Sequence, residues 1–215
     1  MKKLTMIFAL NFVMVFTYAT SGYEQAMEKA LTELNAAQTV TQMSEAGNTF
    51  DRIASGAEDH WLPVYYGAYT RVISAAMEAD LTKKDAYLDV AESRLKHLTE
   101  IQGYDSSEVL TLKGFLYMIR ITVDPATRGQ EYSIKASTVL QEAVAANPQN
   151  PRALLMLAQM NYGSAQFFNQ DTSGPCSMID SVLQLLDQQD DNPEADFAPH
   201  WGRYQAEAMK SQCNG

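Results

Sequence analysis

One pattern recurs along this chain and sets most of what it can fold into. It is a small or branched apolar residue, usually alanine, then an apolar residue four positions on and another three after that. It occurs as Ala46, Phe50, Ile53; as Ala91, Leu95, Leu98; as Ala136, Leu140, Ala143; and as Ile179, Leu183, Leu186, at intervals of 45, 45 and 43 residues. Spacing of i, i+4, i+7 aligns side chains on one face of a helix, so each triplet predicts the buried stripe of an amphipathic helix. Between them the sequence predicts further helices over Tyr23 to Ala36, His60 to Ala79, Ser106 to Val123 and Pro151 to Gly163, and a terminal one from Pro199 to Cys213. A repeating unit of two helices cannot bury its apolar face alone, and stacking on its neighbours solves that problem.

The junctions carry stop and start chemistry. Asn147-Pro148-Gln149-Asn150-Pro151 ends one helix and starts the next, with Asn150 as the cap and Pro151 at the first helical position. Asp105-Ser106-Ser107-Glu108 offers a cap followed by an acidic first turn, and Asp190-Asp191-Asn192-Pro193 closes the last repeat. Apolar content is 46% and charged content 20%, ordinary for a globular protein, and alternating β-branched runs are absent. The expected fold class is all-α: a solenoid of about four antiparallel helix pairs with a C-terminal capping helix.

The first residues stand apart from this scheme. Lys2 and Lys3 precede an apolar run from Leu4 to Phe16, and Thr17-Tyr18-Ala19 follows as a small-x-small site. The form is that of a signal peptide, with cleavage expected after Ala19. A run of about 13 residues is short of the roughly 20 that span a bilayer, which argues against an uncleaved anchor. The expected organisation is a signal peptide over 1–19 and a helical repeat domain over 20–215. Without Lys2 and Lys3, 14 basic residues face 26 acidic ones, a net charge of −12. Such a surface repels phosphate backbones and anionic lipid, so neither nucleic acid nor membrane insertion after cleavage is expected. A periplasmic or secreted home follows.

Within this order one stretch carries a family resemblance. Ala136, Leu140, Ala143 and Pro148, followed by Asn150-Pro151-Arg152-Ala153, resemble the second helix and repeat junction of a tetratricopeptide repeat. Gly114 and Tyr117 resemble the small residue and aromatic of that family's first helix, and Ala46 with Phe50 matches its second. The departure is length, since that family's unit is about 34 residues. The surplus is expected as loops at 124–129 and at 167–174, with Phe167 and Phe168 tucked beneath the second, the alternative being an exposed docking element. HEAT-like helical pairs remain the competing architecture. The chain also resembles small exported tetratricopeptide-like proteins of the Bacteroidetes type, which implies no defined activity.

The resemblance implies that the first helices line a concave surface, which would bring Tyr65, Tyr69, Phe115, Arg152, Gln159 and Tyr162 to face a groove. Tyrosine and arginine suit a protein or peptide ligand, because they supply contact area at low entropic cost. The expectation is therefore a binding scaffold for a protein or peptide partner rather than an enzyme. The alternatives are an accessory subunit of an envelope complex or, further off, a glycan or peptidoglycan hydrolase.

The chemical inventory agrees with binding. His60, His97 and His200 have no partner at metal-ligand spacing, and neither a nucleophile elbow, a phosphate loop nor a dinucleotide fingerprint occurs. No cofactor and no metal site are expected. Cys176 opens the last repeat's second helix and Cys213 ends the terminal helix. If these helices pack antiparallel, the two thiols meet as a disulfide clasping the C-terminal end.

Overall fold

Asparagine and aspartate caps fix where the helices begin. In the computed structural model, which describes residues 22–190 and 197–214, Asn150 accepts the amides of Arg152 and Ala153 at 2.9 and 3.3 Å, and Asp105 accepts that of Glu108 at 3.0 Å. Nine helices follow one another among the described residues: α1 (Gly22–Ala36), α2 (Val40–Gly56), α3 (Trp61–Met77), α4 (Leu81–Leu98), α5 (Ser106–Val123), α6 (Pro125–Ala146), α7 (Pro151–Phe167), α8 (Ser173–Asp190) and α9 (Arg203–Asn214). They pack as antiparallel pairs, α1/α2 through α7/α8, with α9 against α8. First helices also touch one another, α3 to α5 and α5 to α7. The fold is an all-α solenoid. The expected leader at 1–19 lies outside the described residues.

The repeating triplets form the spine. Phe50, Ala91, Leu98, Ala136, Leu140 and Ala143 are fully buried, and Ile179 nearly so. Burying a leucine- or phenylalanine-sized side chain stabilises by about 1.5–3 kcal/mol, so this spine dominates the core. Gly114 on α5 is required by close approach: a Cβ there would lie 2.4 Å from Leu140 Cδ2 and 2.5 Å from its Cγ. The small residue lets α5 and α6 pack tightly.

Polar contacts repeat with the same period. Arg94 donates to Asp51 at 2.6 Å, Arg128 to Asp85 at 2.8 Å, and Asn150 to Ser107 at 3.0 Å, each across 43 positions. A separation of one repeat means that equivalent helices stack on equivalent helices.

Three expectations require correction. Residues 124–129 are not a loop but the start of α6, because Asp124 caps the helix by accepting from Thr127 N and Pro125 sits at its first turn. Phe167 and Phe168 are not tucked away. They end α7 at 80% and 65% exposure, stacked edge to face on each other at 5.0 Å. Asn169, with φ of 51°, turns the chain there. The terminal helix begins at Arg203, not Pro199, because Gly202 has φ of 118°, a left-handed conformation that ordinary side chains disfavour.

Cys176 and Cys213 form the expected disulfide, with Cα atoms 5.7 Å apart. The bridge joins the start of α8 to the end of α9.

Candidate functional site

The sequence between α8 and α9 decides the character of the concave face. The left-handed Gly202 holds off the helix until Arg203, so residues 197–202 run as a non-helical strap across the first helices. At one side, the Tyr66 hydroxyl donates toward the carbonyl oxygens of Phe197 at 3.0 Å and Ala198 at 2.9 Å. The Phe197 ring meets Tyr23 of α1 edge-on at 6.1 Å. At the other side, Gly202 lies against Leu155 and Arg152 of α7. The strap therefore ties the first and second repeats to the fourth.

Trp201 is its centre. Its indole stacks on Tyr69 at 5.3 Å and on Phe115 at 5.9 Å, each inclined by 27°. Its Nε1–H donates to the Tyr65 hydroxyl at 2.9 Å. That hydroxyl in turn donates to Glu108 Oε2 at 3.1 Å. Glu108 is held by Arg152, whose Nε approaches both carboxylate oxygens at 2.9 and 3.0 Å and whose Nη2 lies 2.6 Å from Oε1. Both charged side chains are about 95% buried. Burial alone would lower the Arg152 pKa, but the charge and hydrogen bonds of Glu108 turn the shift upward. Burial also pushes the Tyr65, Tyr66 and Tyr69 phenols well above their ordinary range.

Each expected groove residue has a definite place. Tyr65, Tyr69 and Arg152 are buried beneath or beside the strap. Phe115 is half-buried at its edge, and Gln159 and Tyr162 are half-buried farther along α7. The six do not form one open groove. They divide between an end filled by the chain itself and an end left open. In the open half, Ile73 continues the Tyr65–Tyr69 stripe of α3, Ile119 continues from Phe115 on α5, and Tyr162 lies two turns beyond Leu155 on α7, all at helical spacing and half-buried. Ala76 is exposed, and a Cβ on Gly163 would meet nothing within 4 Å. This half presents apolar and aromatic surface with tyrosine hydroxyls at hand.

Sequence reasoning missed Trp201, reading it as the entry to a helix. The signal available was the pair of breakers, Pro199 and Gly202, closing on it from both sides. Glu108 was read only as a first-turn acid. Its role needed Arg152, 44 positions away, to be seen beside it.

A cleft of about 970 Å³ lies away from this face, around the C-terminal ends of α2 and α4, and is lined among others by Asp51, Glu58, Arg94, His97 and Ile101. Its central carboxylate is matched, Asp51 with Arg71 of α3 and Arg94 of α4. These pairs hold helices together, so the concave face is the stronger candidate. Among the described residues no group of three or more histidine, cysteine, aspartate or glutamate side chains is placed to hold a metal ion. No described helix is long and apolar enough to cross a membrane.

No protein-family model matches the chain, and no curated protein does. Among solved structures, the HusA haemophore from Porphyromonas gingivalis is similar to it. The two share 29% identity over 90% of this chain and 93% of that one, with a TM-score of 0.79. The likeness thus extends over nearly the whole all-helical fold.

Proposed function

We propose that the chain is an exported binding protein of the haemophore kind, carrying a flat apolar ligand such as haem on the open half of its concave face. The observation that carries this reading is the aromatic and aliphatic surface running from Phe115 past Ile73 and Ile119 to Tyr162, beside a slot already filled by a stacked indole. A tetrapyrrole needs apolar and aromatic side chains against its ring faces and water at its carboxylate edge, and a half-open face supplies both. Tyr162 and Met118 add an oxygen and a sulfur donor of the types that ligate haem iron. The proposed activity is binding without turnover. The leader read at 1–19 and the Cys176–Cys213 bridge support export.

The test is an absorbance titration of the mature protein with hemin and with metal-free protoporphyrin IX. Replacing Phe115 and Tyr162 together by alanine should weaken binding by about tenfold or more, because each removes a ring contact of about 0.5–1.5 kcal/mol besides buried area. The melting temperature should fall with the lost Phe115–Trp201 stacking, so circular dichroism must show the variant folded at the titration temperature. Absence of saturable binding at micromolar protein would sink the reading.

A second reading keeps the groove and changes the ligand to a protein or peptide segment. It is favoured by the strap itself, a non-helical stretch of chain held in the groove through its carbonyls and one tryptophan. Substitutions at Tyr65 or Arg152 test it poorly, since both are buried. The Phe115/Tyr162 pair is the better probe, read by crosslinking in cells.

A further inference from the structure

We infer that the space between Tyr69 and Phe115 is a ring-binding subsite whose resident occupant is Trp201, and that an external flat aromatic ring enters by displacing it. The inference deepens the binding function proposed above and rests on it for the natural ligand, though not for the existence of the slot.

Several features indicate an occupant rather than a piece of core. Trp201 does not belong to a helix; it sits on a strap with a glycine at its base, Gly202, in a conformation suited to a hinge. Beyond that hinge α9 is fastened independently, by the disulfide to α8 and by ion pairs from Arg203 to Asp187 and Asp190. Swinging the strap therefore does not require α9 to leave the solenoid. The indole makes two stacking contacts and one hydrogen bond, all at its own ring. Indole removal exposes two aromatic faces already in place on rigid helices. Next to them lies the half-open surface of Ile73, Ile119 and Tyr162.

The Glu108–Tyr65 pair then acts as a latch. A buried Arg–Glu pair stabilises little over an apolar pair of similar shape, yet here it orients the hydroxyl that fixes the indole N–H. Closed and open states compete, and the closed fraction lowers the apparent affinity for any ligand that needs the slot.

Two variants test this. Trp201→Ala removes the occupant, and Tyr65→Phe removes the latch while leaving the phenyl ring in the core. Each should bind hemin about tenfold or more tightly than the parent. Indole, followed by ligand-observed NMR, should bind Trp201→Ala and not the parent. Indole binding without hemin binding would uphold the subsite while removing haem as its ligand. The inference is overturned if indole fails to bind folded Trp201→Ala, or if the parent binds hemin and both variants bind it with unchanged or weaker affinity, which would make Trp201 a wall of the site. Circular dichroism confirms the fold, and Tyr65→Phe keeps the question answerable if Trp201→Ala does not fold.

Discussion

The two halves of the concave face are built on the same three helices and have opposite characters. Towards the N-terminal ends of α3, α5 and α7 lie Tyr65, Glu108 and Arg152, buried and mutually bonded under the strap. Two or three turns on, the corresponding positions are Ile73, Ile119 and Tyr162, half-buried and without a cover among the described residues. One end is dense with hydrogen bonds and aromatic stacking, which specifies a single arrangement. The other has the apolar Ile73 and Ile119 beside Tyr162, whose hydroxyl accepts from Gln166 of its own helix at 3.1 Å. Among the described residues no network crosses between these helices there to fix one arrangement, which suits a ligand of the right shape. In a solenoid, every first helix offers this inner face, and what differs is whether the chain returns to fill it.

The sharpest way to break the closed half is to orphan one of its charges. Glu108→Ala or Arg152→Ala should cost about 3–5 kcal/mol, because the remaining charge stays buried and unpaired. Urea denaturation checks this, and a loss under 1 kcal/mol would mean that water reaches the pair. Reducing the Cys176–Cys213 bridge should cost about 3–4 kcal/mol for a separation of 37 residues. It should loosen α9 and with it the base of the strap, read by hydrogen exchange. Gly114→Ala, beneath both halves, should cost about 1–3 kcal/mol through overpacking against Leu140.

Alkaline titration separates the halves without mutation. Unfolded tyrosine ionises near pH 10, and burial pushes the folded values of Tyr65, Tyr66 and Tyr69 above that. The folded state holds these protons longer than the unfolded chain does. Their contribution to stability is therefore complete below about pH 10 and is lost as pH rises beyond it. Ultraviolet difference absorbance should show them ionising together with unfolding; three phenols titrating near pH 10 in folded protein would contradict the packing. The smallest effect is expected at the far end of α7. Phe167→Ser with Phe168→Ser should shift stability by no more than about 0.5 kcal/mol, since both rings are largely exposed.

Much of the scaffold was legible before any coordinates. Four apolar triplets at intervals near 45 dictated four buried stripes, because helical geometry permits only one face to carry them. Asn150 and Asp105 marked helix starts because a short polar side chain can satisfy free amides there. Cys176 and Cys213 pointed to a clasp because antiparallel packing brings the start of one helix beside the end of the other. The loop expected at 124–129 was misjudged because a proline that breaks a helix interior is welcome at its first turn.

What the sequence determined alone was local: periodicity, caps, breakers and the two-helix unit, all set by interactions within a few residues. Which of Tyr65, Tyr69, Phe115, Arg152, Gln159 and Tyr162 are open to a ligand was decided only by tertiary structure. That outcome depends on Trp201 returning from the far end of the chain to stack on Tyr69 and Phe115. It also depends on Glu108 and Arg152 meeting one repeat apart. The strap's contacts are made once and not once per repeat, so they leave no periodic mark, and only the folded arrangement determines which half of the face is filled.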